Sequence, residues 1–290
     1  MKIVTKLATP IAVATALLIF CCLMIETARA TGISIDAGLT PAQNRWVLRS
    51  QVRYMQRDNG PPGAMSEMRT YMVPFVLAHG LRSDLTIMLR QIVADKRMTM
   101  MDRSSSKSGL TDLMLMAKYR LARINTPTYT LGIAATLGLE MPTGAKYFTS
   151  DSWDMRSGLF LSGRSGYWGM DLNIAYFWDG MIATNDTDLN PGDELSILGA
   201  ISRRFGFGSQ ADKALEPLVE GSYQKIWANA LDNNTVPNTG ESVFVLSPGI
   251  KFTWLSYVLE GLVQIPIWQN QKGLQTERAV GFLVGIRIMN

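Results

Sequence analysis

The stretch "SGLTDLMLMAKYRLARINTPTYTLGIAATLGLEMPTG", residues 108–144, keeps one two-residue rhythm through two successive runs. Leu113, Leu115, Ala117, Tyr119 and Leu121 alternate with Asp112, Met114, Met116, Lys118 and Arg120. After a short polar break, Tyr129, Leu131, Ile133, Ala135, Leu137 and Leu139 alternate with Thr130, Gly132, Ala134, Thr136, Gly138 and Glu140. Successive side chains of an extended strand point to opposite faces. Each run therefore has one apolar face and one face of mixed glycine, threonine and charge.

Outward from this stretch the same rhythm recurs. Alternating runs lie near 45–57, 67–78, 83–93, 110–121, 128–140, 153–164, 167–179, 192–204, 214–226, 242–254, 256–267 and 277–289. Most are about twice as long as the strands of soluble domains, and long enough to cross a bilayer as tilted β-strands. The connections alternate too. Long ones such as "ADKRMTMMDRSSSKSG" and "WANALDNNTVPNTGE" are interleaved with short ones such as "HGLR" at 79–82 and "SG" at 165–166. Long loops on one rim and tight turns on the other are expected of an outer-membrane barrel. In hydrocarbon every backbone polar group needs an internal partner, and a closed barrel supplies them all between strands. The sequence thus predicts an all-β protein, a 12-stranded antiparallel transmembrane β-barrel with its apolar face toward lipid and its polar face toward a watery lumen. Trp46, Tyr54, Tyr119, Tyr129, Trp168, Tyr176 and Trp178 fall near run ends, where amphipathic rings suit the two membrane interfaces.

Three features cut across the pattern. Pro74, Pro217, Pro248 and Pro266 fall inside runs and imply bulges or shifted boundaries. Glu67 and Arg69 share parity with Tyr71, Val73 and Phe75, which predicts a change of register within that run. The chain ends on Asn290, where barrels of this type commonly carry an aromatic.

The first thirty residues have the layout of a secretory signal peptide: Lys2 and Lys6, an apolar run from Leu7 to Ile25, and the small-x-small triplet Ala28-Arg29-Ala30. An uncleaved anchor is the alternative, because the apolar run approaches the length of a bilayer span. The division expected is a signal peptide at 1–30 and the barrel at 31–290. Both cysteines, Cys21 and Cys22, lie in the leader. The mature chain can then have no disulfide framework, cysteine zinc site or thiol nucleophile. The whole chain carries 28 basic and 24 acidic residues. Taking away Lys2, Lys6 and Arg29 on one side and Glu26 on the other leaves 25 against 23, too even to suggest nucleic acid.

Five phrases carry a family resemblance: "YMVPFVLAHGLRSDLTIML" at 71–89, "SGLTDLMLMAKYRL" at 108–121, "TLGIAATLGLEMPTG" at 130–144, "VFVLSPGIKF" at 243–252 and "LEGLVQIPI" at 259–267. In order and spacing they resemble the bacterial family of outer-membrane β-barrel transporters named for the meta-pathway of phenol degradation. That resemblance implies a barrel and passage of small, aromatic or hydrophobic molecules. It implies no catalytic residues.

Parity places a basic track on the inner face. Arg45, Arg49, Arg53 and Arg57 lie opposite Trp46, Leu48, Val52 and Tyr54, and Lys118, Arg120, Arg156, Arg164 and Lys251 are candidates to join them. Glu140, Asp171, Glu194, Glu216, Glu220 and Glu260 are the expected counter-charges, facing the track across the bore in a transverse field. Such charges select solutes by field and donor geometry. Alternatively they pair and fill a narrow lumen. The function expected is passive passage of small solutes across the outer membrane, with lipid and lipopolysaccharide as surroundings and no cofactor. The alternatives are a structural or adhesive barrel with an occluded lumen, and a hydrolase at the rim. For the last, His79 in "VLAHGLRSD" is the lone histidine, and no paired nucleophile accompanies it. "NDTDLNPGDE" at 185–194 resembles a calcium loop, but its glycine is one place late and the distal glutamate is missing.

Overall fold

The alternation is realised as twelve long antiparallel strands. In the computed structural model these are β1 (Trp46–Asp58), β2 (Met65–Gly80), β3 (Leu85–Met100), β4 (Leu113–Asn125), β5 (Tyr129–Met141), β6 (Ser152–Ser165), β7 (Trp168–Ala183), β8 (Glu194–Arg203), β9 (Lys213–Ile226), β10 (Glu241–Trp254), β11 (Tyr257–Gln271) and β12 (Gly281–Met289). Residues 32–60, 65–100, 103–183, 189–208, 213–231, 234–273 and 275–289 are described; the expected signal peptide, with both cysteines, and Asn290 lie outside them. Each strand pairs with its sequence neighbours, and β1 pairs with β12 from Val47↔Met289 to Tyr54↔Phe282, which closes the cylinder. With no edge left, the backbone is hydrogen-bonded all the way round.

The opening stretch becomes β4 and β5, and its two faces separate as their chemistry requires. Leu115, Tyr119, Leu137 and Leu139 point outward and are about half exposed, while Met114, Met116, Lys118, Ala134 and Thr136 are buried inside. Aromatic side chains form two belts. At the rim of tight turns stand Trp46, Trp168, Trp254 and Tyr257. At the other rim Tyr54 lies 5.0 Å from Tyr71 and 4.9 Å from Phe282, and Tyr176 lies 4.8 Å from Trp178. The lipid band between the belts makes a prediction. Val52 sits midway along β1, outward and 48% exposed. Val52→Arg should cost about 2–4 kcal/mol of folding free energy in lipid vesicles, read by denaturant titration.

The proline expectation holds in part: Pro217 and Pro248 pair within an unshifted β9–β10 ladder, through Pro217↔Ile250 and Val219↔Pro248. On the β1 side the β2 ladder is interrupted opposite Pro74, between Ser50↔Phe75 and Arg53↔Met72. The β10–β11 ladder shifts register between Phe244 and Val245, where Val245 pairs with Pro266. Two other expectations need correction. No register change separates Glu67 and Arg69 from Tyr71: all three stay on the outer face, and the shift comes earlier, between Met65 and Glu67. The sixteen-residue β2 simply outruns the apolar band, so the two charges pair with each other at 2.7 Å beyond it. Nor does the first strand of that hairpin's partner stop near 93. β3 continues to Met100, and residues 103–110 pair back on it from Val93↔Leu110 to Met100↔Arg103. The segment read as a long loop is therefore a standing hairpin.

Candidate functional site

The segment before β1 has no place in the wall. Residues 32–39 lie inside the barrel as a plug, with Ile33, Ile35 and Ala37 buried. "GISIDAGL" is itself alternating, so one row of it is apolar and the other polar. Ile33 packs on Leu218, Leu262 and Leu283, three inward side chains from β9, β11 and β12. The plug's backbone is seated by polar groups of the wall. Glu220 of β9 accepts the backbone N–H groups of Ile33 and Ser34 and the Ser34 hydroxyl. Gly32 N–H donates to Asp171 at 3.1 Å, and Gly38 N–H to Ser162 Oγ at 2.8 Å. The carbonyls are met by cations and an amide: Ala37 O by Lys118 Nζ at 3.0 Å, Gly32 O by Arg287 at 3.3 Å and Ile33 O by Gln51 at 3.2 Å. A buried backbone without partners would be costly, and here the lumen wall supplies them from strands on every side.

Glycine makes the closest approach possible. A Cβ on Gly38 would meet Phe160 O at 2.5 Å and Gly132 O at 2.6 Å, and one on Gly132 would meet Leu39 Cδ2 at 2.5 Å. Plug and wall touch there backbone to backbone. The chain then leaves by the tight-turn rim, where Thr40 Oγ1 donates to Ser83 O at 2.8 Å and Asn44 N–H to Gly80 O at 2.7 Å.

Around the plug the charges are paired along the wall. Arg164 donates to both oxygens of Asp171 at 2.7 and 3.0 Å, with both side chains wholly buried. Lys251 reaches Glu216 on the adjoining strand at 3.0 Å. Glu260 accepts from Arg49 at 2.8 Å, Gln51 at 2.6 Å and Arg287 at 3.1 Å. Nearer the long-loop mouth, Arg57 and Arg278 both hold Glu241 at 2.5 Å, and Arg90 lies 3.3 Å from Glu140. Asp36 of the plug sits in the field of Lys118, Arg49, Arg156 and Arg287.

With this geometry in view, the comparisons are informative. The profile of the family described as "Putative MetA-pathway of phenol degradation" matches residues 71–258, most of the barrel. The chain belongs to this family. Among curated protein sequences nothing matches. The fold is similar to that of the COG4313 outer membrane channel from Pseudomonas putida F1, with a TM-score of 0.67 at 13% identity, covering 90% of this chain and 100% of that one. More distant likenesses are the beta domain of the Bordetella autotransporter BrkA (TM-score 0.47, 12% identity, 86% and 99% covered) and the translocator domain of NalP from Neisseria meningitidis (0.43, 10%, 86% and 89%). The protein is an outer-membrane β-barrel of channel architecture.

In this phenol-degradation-family barrel the predicted inner residues are mostly where parity put them. Arg49, Arg53, Arg57, Lys118, Glu140, Asp171, Glu216, Glu220 and Glu260 all stand on the inner face. Arg45 does not: it precedes β1, exposed, in the turn that joins plug to wall. Arg120 is spent on Thr40 at the exit, 3.1 Å away. The expected opposition of charges across the bore is also corrected. Asp171, Glu216, Glu260 and Glu140 each take a cation along the wall, while Glu220 accepts from the plug and Glu194 from Ser196 and Gln224, because a buried charge needs a partner within hydrogen-bond reach. His79 is stacked on Trp46 with ring centroids 3.9 Å apart, a contact of the aromatic belt. Asp186 and Asp188 of the calcium-like loop lie outside the described residues. Missed altogether were Asp36, Arg90, Arg278, Glu241 and Arg287. The alternation of residues 33–39 was the available signal for the plug, but eight residues are too few to distinguish a strand from a ligand for the lumen.

Proposed function

We propose that the protein lets small solutes, hydrophobic or aromatic ones in particular, cross the outer membrane passively, with residues 32–39 as the gate. The observation that carries this reading is a water-accessible vestibule that ends on a short, mostly hydrogen-bonded plug. Met55 points inward from β1 yet is 36% exposed, and the side chains of Arg90 and Glu140 remain 27% and 23% exposed. Solvent thus reaches Met55, Arg90 and Glu140, above the plug. Below the mouth, Ala78, Met88, Met114 and Met116 form a buried apolar cluster on the inner wall, and the partly buried Phe177 packed against it is the part that faces the lumen. Methionine is polarizable and adaptable, which suits apolar solutes of varied shape. The family and the channel fold support the same reading. Lipopolysaccharide at the outer rim is its natural surrounding, and His79, committed to Trp46, has no catalytic part in it.

Purified protein in planar bilayers and in solute-loaded liposomes tests the proposal, with measurable ion current and aromatic-solute flux as the expected result. The plug also favours a second reading, a structural or adhesive barrel that never opens. Absence of current and flux under all conditions would support that one instead. Within the first reading, Arg53 steers ions, because among the described residues its guanidinium hydrogen-bonds only to the neutral Gln51, at 2.9 and 2.6 Å. Arg53→Glu should move the reversal potential in a salt gradient toward cation preference, and an unmoved potential would remove Arg53 from the selectivity path.

A further inference from the structure

The vestibule floor holds guanidinium groups that the acids of its wall do not fully pair. Arg53 lies in the repulsive field of Arg49 and Arg90, and Arg156 in that of Arg90. Among the described residues neither Arg53 nor Arg156 has an ion-pair partner; Glu260 and Glu220 act on Arg53, and Asp36, Glu194 and Glu140 on Arg156, only at longer range. Two donors here are buried without an acceptor, Arg156 Nε and Arg49 Nη2. Buried guanidinium N–H groups left in this state are costly, and an anion would satisfy them. The plug already brings a carboxylate near this charge: Asp36 lies in the field of Lys118, Arg49, Arg156 and Arg287, with no ion pair to any of them among the described residues.

The apolar side of the site begins where the charge ends. The Arg156 guanidinium lies over the Phe177 ring, 4.0 Å from its centroid. Phe177 in turn packs against the patch of Met88, Met114 and Met116. A ligand spanning the two would carry an anionic head and an apolar body.

We infer that the vestibule floor binds carboxylates that carry an aromatic or aliphatic body, and that the bound head group competes with Asp36 for Arg49 and Arg156, so that the solute itself loosens the plug. This rests on the passage proposed above and names its substrate class. A carboxylate gains bidentate pairing with arginine that an alcohol of the same shape cannot match.

Titration calorimetry on the purified full barrel, with 4-phenylbutyrate and the uncharged 4-phenylbutanol as probes, tests the inference. The acid should bind at least tenfold more tightly than the alcohol, and Arg156→Gln should abolish the difference. Asp36→Asn, a change in the plug that leaves the wall intact, should tighten acid binding several-fold by removing the competitor. In a Cys21→Ser, Cys22→Ser background, Ala37→Cys should react faster with an impermeant maleimide when the acid is present. Equal binding of acid and alcohol, or an Asp36→Asn barrel with unchanged affinity, would overturn the inference. Flux of both probes with equal binding would leave the passage function standing and remove only the carboxylate site. Tight acid binding with no flux of either probe would do the reverse.

Discussion

Glu220→Ala should convert an intermittently conducting barrel into one that is open most of the time. Glu220 holds three donors of the plug, two backbone N–H groups and the Ser34 hydroxyl, from a position on β9 where it is 2% exposed. Hydrogen bonds to a charged group are worth about 1.5–3 kcal/mol each. Losing the equivalent of one moves the ratio of seated to unseated plug by about ten- to a hundredfold. Ile33, against Leu218, Leu262 and Leu283, and the buried Ile35 give the segment its apolar anchors, and the substitution leaves both unchanged. Deleting residues 32–39 should reach the same open state by another route. Single-channel recording measures both variants, and the two should share one large conductance level. A Glu220→Ala barrel whose open fraction equals that of the parent would show that the plug is not the gate.

The largest effect on stability is expected at Arg164 and Asp171. Arg164 is 0% exposed, and its partner carboxylate also takes the Gly32 N–H and the Ser162 hydroxyl. Arg164→Met leaves that carboxylate buried without its cation. Breaking such a pair from one side costs about 3–5 kcal/mol, whereas replacing both partners by apolar groups is often nearly neutral. Arg164→Met alone should therefore lose the compact, heat-modifiable electrophoretic form at a markedly lower temperature than the parent. Adding Asp171→Leu should restore much of the loss, and the excess over additivity measures the coupling. If the single variant unfolds within about 1 kcal/mol of the parent, the pair contributes nothing beyond surface ion pairing. Because Asp171 also bonds the plug, the double variant should conduct more than the parent even where it is equally stable.

How much of this could be read beforehand depends on the range of the interactions. All twelve strands, the closure and the two faces were legible, since a period of two residues and the lengths of the connections are local properties of the chain. Leu115, Leu137 and Val284 proclaim lipid, and Lys118, Arg49 and Glu260 proclaim the interior, from parity alone. The boundaries went astray where strands outrun the membrane, as at Glu67, Arg69 and the hairpin 93–110. There the apolar alternation ends while the hydrogen-bonded ladder continues.

By itself the sequence determined a cylinder with oil on its outside and charge on its inside, because each residue's side follows from its position in an extended chain. It did not determine which charges meet. Arg164 with Asp171 and Lys251 with Glu216 depend on the register between strands, and Glu260 with Arg287 and Arg49 on the order in which the cylinder closes. Least visible was the use of Glu220, 186 residues from the Ser34 amide it accepts. Residues 32–39 find partners only once the wall has closed around them, so what fills the bore was decided by the tertiary structure.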